Sequence, residues 1–328
     1  MMAKVRFGIL STAGIGEKRV IPAIHRAHNA EVVAVASRDL KRAQAFADEN
    51  DIPTAYGTYE ALLEADNVDA IYNPLPNNLH AEWAIKSARA GKPMLCEKPL
   101  ALNAAEGQQM VDAFAERDLL FAEAFMYRFH PQTVRVHELI ADGAIGEPHS
   151  VRATFTFAVQ DPDNIRLSAA LGGGSLADVG YYCVGAIRHI AGAEPVSVRG
   201  EAVMADGVDV SFSGVLRFES GLLGYFESGL RSFREHSYTV LGAKGKIEVA
   251  EAFVPLPLAQ TQIKLWRDDD DTPETITIPE SDQYQIMVED FADALLAGRP
   301  PRFDPQDAVR QMQVLDALKA NAGIAKFV

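Results

Sequence analysis

Short apolar runs alternate with amphipathic helical patterns along the first 125 residues, and this alternation constrains the fold more than any other feature of the chain. β-Branched runs separated by helices are typical of parallel sheets that helices cover on both faces. We therefore predict a doubly wound α/β domain over residues 1–125. Its predicted strands are residues 5–10, 31–37, 68–73, 94–96 and 120–124, and its predicted helices are residues 15–28, 40–50, 78–90 and 103–117.

The pattern changes after about residue 147, where one strand-like run follows another with turn signals such as Asp206-Gly207 and Ser220-Gly221 between them. This rhythm is typical of an antiparallel sheet. We predict a second, α+β domain over residues 126–328, and we expect the C-terminal helices to pack back on the first domain. The predicted strands are residues 151–159, 196–204, 208–218, 222–230, 237–241, 246–250 and 275–278, and the predicted helices are residues 175–190, 283–296 and 305–321.

The stretch FGILSTAGIG, residues 7–16, leads the first predicted strand into a turn and a helix. In a dinucleotide site, three glycines in such a turn permit a tight bend, close approach of the pyrophosphate and helix packing. Ser11, Ala13 and Gly16 occupy those places here. Small side chains and hydroxyl donors are compatible with a bound anion, so the turn is either a cofactor site or a plain corner. The predicted cofactor-binding residues of this turn are Ser11, Thr12, Ala13, Gly14 and Ile15.

The end of the second predicted strand indicates which dinucleotide binds. An acid at this place binds free ribose hydroxyls, whereas a basic residue accommodates a 2′-phosphate. Ser37 and Arg38 end the strand, and Arg42 follows one helical turn later. A hydroxyl and two guanidinium groups suit a phosphate dianion, so we predict NADP in preference to NAD. The alternative is a solvated Arg38 next to an Asp39 that only caps the helix.

Charge and composition exclude several classes of function. The formal net charge of −14 disfavours general attraction to nucleic acid or to anionic membranes. No apolar run is long enough for a membrane span, and no signal peptide is recognisable, so we predict a cytoplasmic protein. Cys96 and Cys183 are too far apart in sequence for a metal knuckle, and we predict no metal site. Neither a nucleophile elbow nor a P-loop is present.

Two further motifs carry candidate chemistry. Glu97-Lys98-Pro99 directly follows a short predicted strand, at the edge of a parallel sheet where ligands bind. Gly172-Gly173-Gly174 leads into a helix in which we expect Ser175 to be the N-cap and Asp178 and Tyr182, four residues apart, to share one face. The alternative makes Asp178 a capping-box acid and Tyr182 part of the core.

Together these motifs resemble the Gfo/Idh/MocA family of oxidoreductases. The resemblance extends over nearly the whole chain and includes LPNNLH at residues 75–80 and EAFMYR at residues 123–128. It implies a Rossmann domain, followed by a domain with a large, mainly antiparallel open sheet whose outer face forms a homodimer or homotetramer. It also implies a catalytic role for Lys98 near the nicotinamide. Further cofactor contacts are expected at Leu75, Asn78, His80, Glu97 and Arg128; the alternative for His80 is a helix cap, and for Arg128 a purely structural role.

The first turn, Arg38 and residues 123–131 look most like the sugar and dihydrodiol branches of that family. Our hypothesis is that Tyr182 takes the proton of the anomeric hydroxyl of an aldose such as D-xylose, while hydride passes from C1 to the nicotinamide and a lactone forms. A tyrosine pKa is about 10, and a neighbouring cation such as Lys98 lowers it by about 1 to 3. Asp178 orients the substrate or the lysine.

Other activities remain open at this point. The alternatives within the family are a dihydrodiol or anhydrosugar dehydrogenase or reductase. The alternatives from other classes are a non-catalytic NADP-binding regulator, which intact Lys98 and Tyr182 disfavour, and a glycosidase or lyase that retains its cofactor.

Overall fold

The computed structural model describes residues 3–268 and 270–324. In chain order the strands are β1 (Val5–Leu10), β2 (Ala30–Ala36), β3 (Thr54–Tyr56), β4 (Ala70–Asn73), β5 (Met94–Glu97), β6 (Phe121–Ala124), β7 (Pro148–Ala158), β8 (Ser197–Ala205), β9 (Val208–Arg217), β10 (Leu223–Gly229), β11 (Arg231–Gly242), β12 (Gly245–Val249), β13 (Ala259–Arg267) and β14 (Glu274–Ser281). The helices are α1 (Ile21–Arg26), α2 (Leu40–Glu49), α3 (Tyr59–Leu63), α4 (His80–Arg89), α5 (Ala104–Ala115), α6 (Pro131–Ala141), α7 (Tyr181–Ala191), α8 (Gln283–Ala297) and α9 (Pro305–Asn321).

The chain forms two compact units. Unit 1 contains the chain up to Met126 and a later segment, Gln283–Val309. Unit 2 contains Tyr127–Asp282 and the chain from Arg310 onward. No helix among the described residues is both long enough and apolar enough to cross a membrane.

Unit 1 contains a parallel six-stranded sheet in the order β3-β2-β1-β4-β5-β6, as the alternating pattern predicts. The order reverses between β1 and β4, which is the place where open α/β sheets bind ligands. Strands β1 and β4 are buried almost throughout, because helices cover both faces of the sheet. Helix α8 covers part of β1, and the rings of Phe7 and Phe291 lie 5.7 Å apart.

Unit 2 contains an eight-stranded sheet in the order β14-β13-β12-β11-β7-β10-β9-β8. Only the β7–β10 pair is parallel among its described strand pairs, so the sheet is mainly antiparallel, as predicted. Helix α7 packs on one face so closely that a Cβ on Gly224 would lie 2.3 Å from Ile187. Tyr225, on the opposite face, is exposed because successive strand residues alternate between the two faces.

Several sequence-based boundaries were wrong. The predicted helix over residues 15–28 is a π-helical turn, Gly16–Val20, followed by α1, with Pro22 in the first turn of α1 where its missing N–H costs little. The sequence analysis also missed β3, α3, α6 and β13. Strand β13 has the expected alternation, since Thr261, Ile263 and Leu265 are buried between exposed Gln and Lys side chains.

His130 gives unit 2 a specific sensitivity to acid. Its ring is fully buried at the N-terminus of α6, where Nδ1 accepts the Gln132 backbone N–H at 3.1 Å. Burial lowers the pKa of His130 to about 4. A histidine in the unfolded chain has a pKa near 6.5. Between about pH 6.5 and pH 4, the unfolded chain therefore binds a proton at this histidine, whereas the native chain does not. This difference destabilises the native state by about 2 kcal/mol between pH 7 and pH 5.

We expect the His130→Asn variant to lose that acid sensitivity, since asparagine still caps the helix but does not titrate. The fall in thermal midpoint between pH 7 and pH 5 should be about 4–8 °C smaller in the variant than in the unsubstituted protein. Circular dichroism at the two pH values measures it, with each protein compared with itself. Equal falls in the two proteins contradict the prediction.

Candidate active site

The turn after β1 has the features of an anion-binding turn although two of its glycines are replaced. Ser11 has a left-handed backbone with φ of 77°, and its N–H donates to the Ala36 carbonyl at 2.9 Å. A left-handed conformation costs a non-glycine residue about 1–2 kcal/mol, and such strain concentrates at functional sites. The Ser11 Oγ is buried and has no hydrogen-bond partner among the described residues. A Cβ on Gly14 would meet no atom within 4 Å, so the protein leaves room next to this turn.

The structure brings Thr12 together with the two arginines that follow β2. Arg42 Nε donates to Thr12 Oγ1 at 2.7 Å across 30 residues of sequence. Arg38 and Arg42 both oppose the rise that burial causes in the pKa of Tyr59. Arg38 is therefore more than a solvated side chain.

Asp39, the acid that follows β2, is used as a helix cap. Its Oδ1 accepts the backbone N–H groups of Lys41 and Arg42 at 2.8 and 3.3 Å. The Ser37 side chain is buried beside it, and Ser37 Oγ accepts the Asp39 N–H at 3.4 Å. The capping role that the alternative interpretation gave to Asp39 is confirmed, and it draws this carboxylate towards the helix backbone.

The loop after β4 contains the next predicted contacts. Leu75 is buried, and its N–H donates to Asn73 Oδ1 at 3.2 Å. Asn78 lies in a 3₁₀ turn, and its Oδ1 is buried without a partner among residues 3–268 and 270–324. A buried amide oxygen without a protein partner can accept a hydrogen bond from a bound ligand.

His80 lies between two backbone carbonyl groups. Its ring is fully buried, with Nε2 at 2.8 Å from the Leu75 carbonyl and Nδ1 at 3.0 Å from the Pro99 carbonyl. Burial lowers the pKa of His80. A neutral imidazole carries one N–H, so the ring donates to one of these two carbonyls. Contact of His80 with a cofactor stays a prediction. The helix-cap alternative is wrong for α4, because the N-cap of α4 is Leu79.

Glu97 is the last residue of β5, and Lys98 follows it at the same edge of the sheet. The Tyr72 hydroxyl, fully buried in β4, donates to Glu97 Oε1 at 2.7 Å. Burial and the Glu97 carboxylate raise the pKa of Tyr72 well above its ordinary value, so this phenol stays protonated as a donor. Lys98 is half-buried, and its peptide bond to Pro99 is cis. The Tyr72–Glu97 bond ties the start of the tripeptide to the central strand.

In unit 2, Ser175 occupies the predicted N-cap position, but its side chain makes no capping hydrogen bond to the turn that follows. A π-helical turn, Leu176–Gly180, begins there, and Ser175 Oγ donates to Asp209 Oδ2 at 2.7 Å. The Leu176 N–H donates to the same oxygen at 2.7 Å. Asp209 therefore caps this turn from a neighbouring strand. Burial raises the pKa of Asp209, and these two hydrogen bonds oppose the rise.

Asp178 pairs with Arg166, which lies in the segment ahead of the three glycines. Arg166 Nε donates to Asp178 Oδ2 at 2.5 Å. Because the Ser175 side chain makes no capping bond, Ser175 and Asp178 do not form a capping box. Tyr182, in the first turn of α7, is buried among aromatic rings. The centroids of Phe155, Phe253 and Tyr127 lie 5.3, 5.5 and 5.9 Å from that of Tyr182. From the sequence we expect residues 160–166, ahead of the three glycines, to contribute to the substrate pocket, but the sequence does not predict the pairing of Arg166 with Asp178.

The predicted site residues thus form two groups. Those of unit 1 lie at the carboxyl ends of β1, β2, β4 and β5, and they are Ser11, Thr12, Ala13, Gly14, Ile15, Ser37, Arg38, Arg42, Leu75, Asn78, His80, Glu97 and Lys98. Those of unit 2 are Arg128, Asp178 and Tyr182. Arg128 lies in a 3₁₀ turn, Met126–Phe129. Burial, together with the positive charge of Arg128, lowers the pKa of His137 to about 4. Among the described residues, no three His, Cys, Asp or Glu side chains form a group that could hold a metal ion.

Comparison with known proteins relates both units to one group of enzymes. Residues 5–125 match the model of the GFO/IDH/MocA oxidoreductase family with an NAD-binding Rossmann fold, and residues 133–248 match the GFO/IDH/MocA C-terminal domain. The chain is 43% identical over 321 residues to D-xylose 1-dehydrogenase (NADP(+)) 2 of Haloferax volcanii, covering 96% of this chain and 97% of that one. It is 29% identical to trans-1,2-dihydrobenzene-1,2-diol dehydrogenase of Danio rerio, covering 98% and 97%.

A solved structure is similar over nearly its full length. This is KijD10, a 3-ketoreductase from Actinomadura kijaniata in complex with TDP-benzene and NADP, with a TM-score of 0.89, 32% identity and coverage of 97% of this chain and 98% of that one. Structures of KijD10 in which one tyrosine or one lysine is replaced have TM-scores of 0.91 and 0.87. With both domain models matched in chain order, the chain belongs to the GFO/IDH/MocA family of oxidoreductases.

Proposed function

We propose that the protein is an NADP-dependent aldose dehydrogenase that oxidises C1 of an aldose such as D-xylose and forms a lactone. The observation that carries this proposal is the 43% identity, over 96% of the chain, to a D-xylose 1-dehydrogenase that uses NADP(+). The Danio rerio relative, named a dihydrobenzenediol dehydrogenase, makes oxidation of a cyclic diol the second candidate.

The residues of unit 1 fit NADP. Ser11 Oγ is a buried donor without a protein partner among the described residues, and the space beside Gly14 admits a ligand close to the backbone. Arg38 and Arg42, on either side of the Asp39 cap, offer the guanidinium groups that a 2′-phosphate requires. Asn78 Oδ1 is an acceptor for a cofactor amide or hydroxyl.

Each catalytic role follows from ordinary chemistry at C1. Bound NADP supplies the acceptor for the hydride that leaves C1. Tyr182, reacting as the phenolate, accepts the proton of the anomeric hydroxyl and becomes the phenol, and Asp178 orients the sugar. Lys98 supplies an ammonium group that favours the negative charge that develops as the hydroxyl loses its proton. Removal of both the proton and the hydride leaves the carbonyl of the lactone.

The similar KijD10 structures provide independent support for the choice of Lys98 and Tyr182. The lysine and the tyrosine replaced in those variants are separated by the same number of positions as Lys98 and Tyr182. Both proteins therefore carry this pair at one spacing.

The test of the proposal is an initial-rate survey that follows the absorbance of NADPH. D-Xylose, other aldoses, anhydrosugars and dihydrodiols are each offered with NADP and with NAD. We expect an aldose with NADP to give the highest kcat/KM. If a dihydrodiol or an anhydrosugar is the best substrate, the second candidate function takes the place of the proposed aldose dehydrogenase activity. No change with any substrate points to a regulator or to a glycosidase or lyase that retains its cofactor.

Cofactor choice should depend on the two arginines after β2. We expect the Arg38→Ala/Arg42→Ala double variant to lose about 10²- to 10⁴-fold in affinity for NADP, because each of two charge-assisted hydrogen bonds contributes about 1.5–3 kcal/mol and 1.4 kcal/mol is tenfold. Affinity for NAD should stay within about threefold, since NAD lacks the 2′-phosphate. Titration calorimetry measures both affinities. Lys41→Ala, which removes an exposed cation from the same helix, is the control. An equal loss of affinity for NADP and for NAD contradicts the assignment of Arg38 and Arg42 to the 2′-phosphate.

We also propose that the protein is a homo-oligomer through the outer face of the unit 2 sheet. Tyr225 and Val203 are exposed on the face opposite α7, with 38% and 62% of their surface accessible. Apolar side chains exposed on a broad sheet are typical of protein interfaces. Light scattering should give a mass of two or four chains of 35.7 kDa, and the mass of a single chain contradicts the proposal.

A further inference from the structure

Arg166 lies in unit 2 in a position to do more than balance the charge of Asp178. It belongs to a short 3₁₀ turn, Ile165–Leu167, which Asn164 caps by accepting the Arg166 N–H at 3.1 Å. Its Nε donates to Asp178 Oδ2 at 2.5 Å, and the weaker Nη1 bond to Asn164 Oδ1 spans 3.4 Å. No described group accepts from Nη2, and the side chain is 38% exposed. The guanidinium thus keeps donors for a ligand.

Backbone contacts fix the position of the turn that carries Arg166. The Arg166 carbonyl accepts the Gly174 N–H at 2.9 Å. A Cβ on Gly173 would lie 2.4 Å from the same carbonyl oxygen, so only glycine allows this approach. Gly174 has φ of 114°, and a Cβ there would lie 2.2 Å from Asp209 Oδ1. The glycines therefore fix the distance between the Arg166 turn and the helix that carries Asp178 and Tyr182.

The charges around Arg166 indicate which ligand it accepts. The Asp178 carboxylate raises the pKa of Arg166, and the Tyr182 hydroxyl acts in the same direction, so the phenol and the guanidinium are electrostatic neighbours. Asp178 is only 14% exposed and carries the compensating negative charge. Because the formal charges of the pair cancel, a neutral hydroxyl is a better ligand for the remaining N–H groups than a carboxylate.

We propose that Arg166 is a specificity-determining residue of the sugar site, whose Nε positions the Asp178 carboxylate and whose Nη2 donates to one hydroxyl oxygen of a neutral sugar. This inference rests on the proposed aldose dehydrogenase activity and extends it by naming the group that selects a polyhydroxylated substrate. A hydrogen bond between a charged protein group and a substrate hydroxyl discriminates strongly against an analogue that lacks the hydroxyl.

The test compares Arg166→Gln and Arg166→Lys with a matched control, Arg135→Gln. Arg135 is 39% exposed and is also paired with an acid, Glu138, but lies on α6. We expect Arg166→Gln to raise KM for the aldose by about 10- to 100-fold, while KM for NADP stays within about threefold. Arg166→Lys should be intermediate, because an ammonium group keeps the charge but not the fork of donors. Arg135→Gln should leave both KM values unchanged.

A set of singly deoxygenated aldoses identifies the hydroxyl. The unsubstituted protein should discriminate against one member of the set by about 10- to 100-fold in kcat/KM, and Arg166→Gln should lose that discrimination while keeping the others. An unchanged sugar KM in Arg166→Gln overturns the inference. So does an equal loss against every deoxyaldose, which is the behaviour of a merely structural residue.

Calorimetry of sugar binding to the NADP-loaded protein separates this inference from the proposed activity. If no aldose is oxidised but neutral sugars bind in an Arg166-dependent way, the proposed function fails and the role of Arg166 stands. If the unsubstituted protein oxidises an aldose and Arg166→Gln binds it equally well, the proposed function stands and the inference fails. If no sugar binds to the unsubstituted protein, both fail. Thermal midpoints within a few degrees of the Arg135→Gln control establish that the variants are folded.

Discussion

Replacement of Tyr182 by phenylalanine is expected to lower kcat for aldose oxidation by about 10²- to 10⁴-fold, the range that general base catalysis supplies. The substitution removes one oxygen and keeps the ring, whose neighbours Phe155, Phe253 and Tyr127 all lie within 6 Å between centroids. The aromatic cluster should therefore keep its packing, and the loss should fall on kcat with little change in KM for NADP. Steady-state rates over a range of pH measure it.

A matched control for this variant is Tyr238→Phe. Tyr238 is a buried tyrosine of β11 that packs on the same Phe253 ring, with centroids 6.1 Å apart. Its hydroxyl has no proposed role, so Tyr238→Phe should retain kcat within about threefold. Near-normal turnover in Tyr182→Phe removes Tyr182 from the mechanism. A similar loss in both variants attributes the effect to the aromatic cluster instead.

Replacement of Lys98 by methionine is the second large effect that we expect. Methionine keeps most of the length of the side chain but removes the cation, so kcat should fall by about 10²- to 10⁴-fold. NADP should still bind within about tenfold, because the donors assigned to its phosphates lie on Ser11, Arg38 and Arg42. Lys264→Met, on the exposed face of β13, is the control. Loss of NADP binding with kcat preserved at saturation contradicts a catalytic role.

The Lys98→Met/Tyr182→Phe double variant tests whether the two residues act as one unit. Catalytic groups that depend on each other give far less than additive losses when both are removed. We therefore expect the double variant to retain about as much activity as the less active of the two single variants. A loss equal to the product of the two single losses indicates independent roles. The single and double variants are compared by their single-turnover rates at saturating NADP and aldose.

Much of unit 1 was predictable because local patterns dominate it. Parallel strands buried on both faces read as apolar runs, and motifs that follow such strands must lie at the carboxyl edge of the sheet. Glu97, Lys98 and the Ser11 turn therefore fell where the sequence predicts. The left-handed backbone of Ser11 was not predictable from residue preference, since serine rarely adopts it.

What the sequence did not reveal depends on contacts between distant residues. Arg42 reaches Thr12 across 30 residues, and Asp209 caps the turn at Ser175 from 34 residues away. Single-sequence patterns report neighbours on one element and not partners on different ones. His80 illustrates the same limit, because only the structure shows that its ring lies between the carbonyl groups of Leu75 and Pro99.

Unit 1 takes its residues from two separated stretches of chain, and this order affects synthesis on the ribosome. The last strand of its sheet ends at Ala124, whereas α8, which covers Phe7, begins at Gln283, after every strand of unit 2. At about 5–20 residues per second, roughly 10 to 30 s separate the two. During that interval the nascent sheet lacks the helix that covers β1, and its apolar surface is available to chaperones. Unit 1 is the first unit to be synthesised, but its sheet is covered by α8 only late in translation.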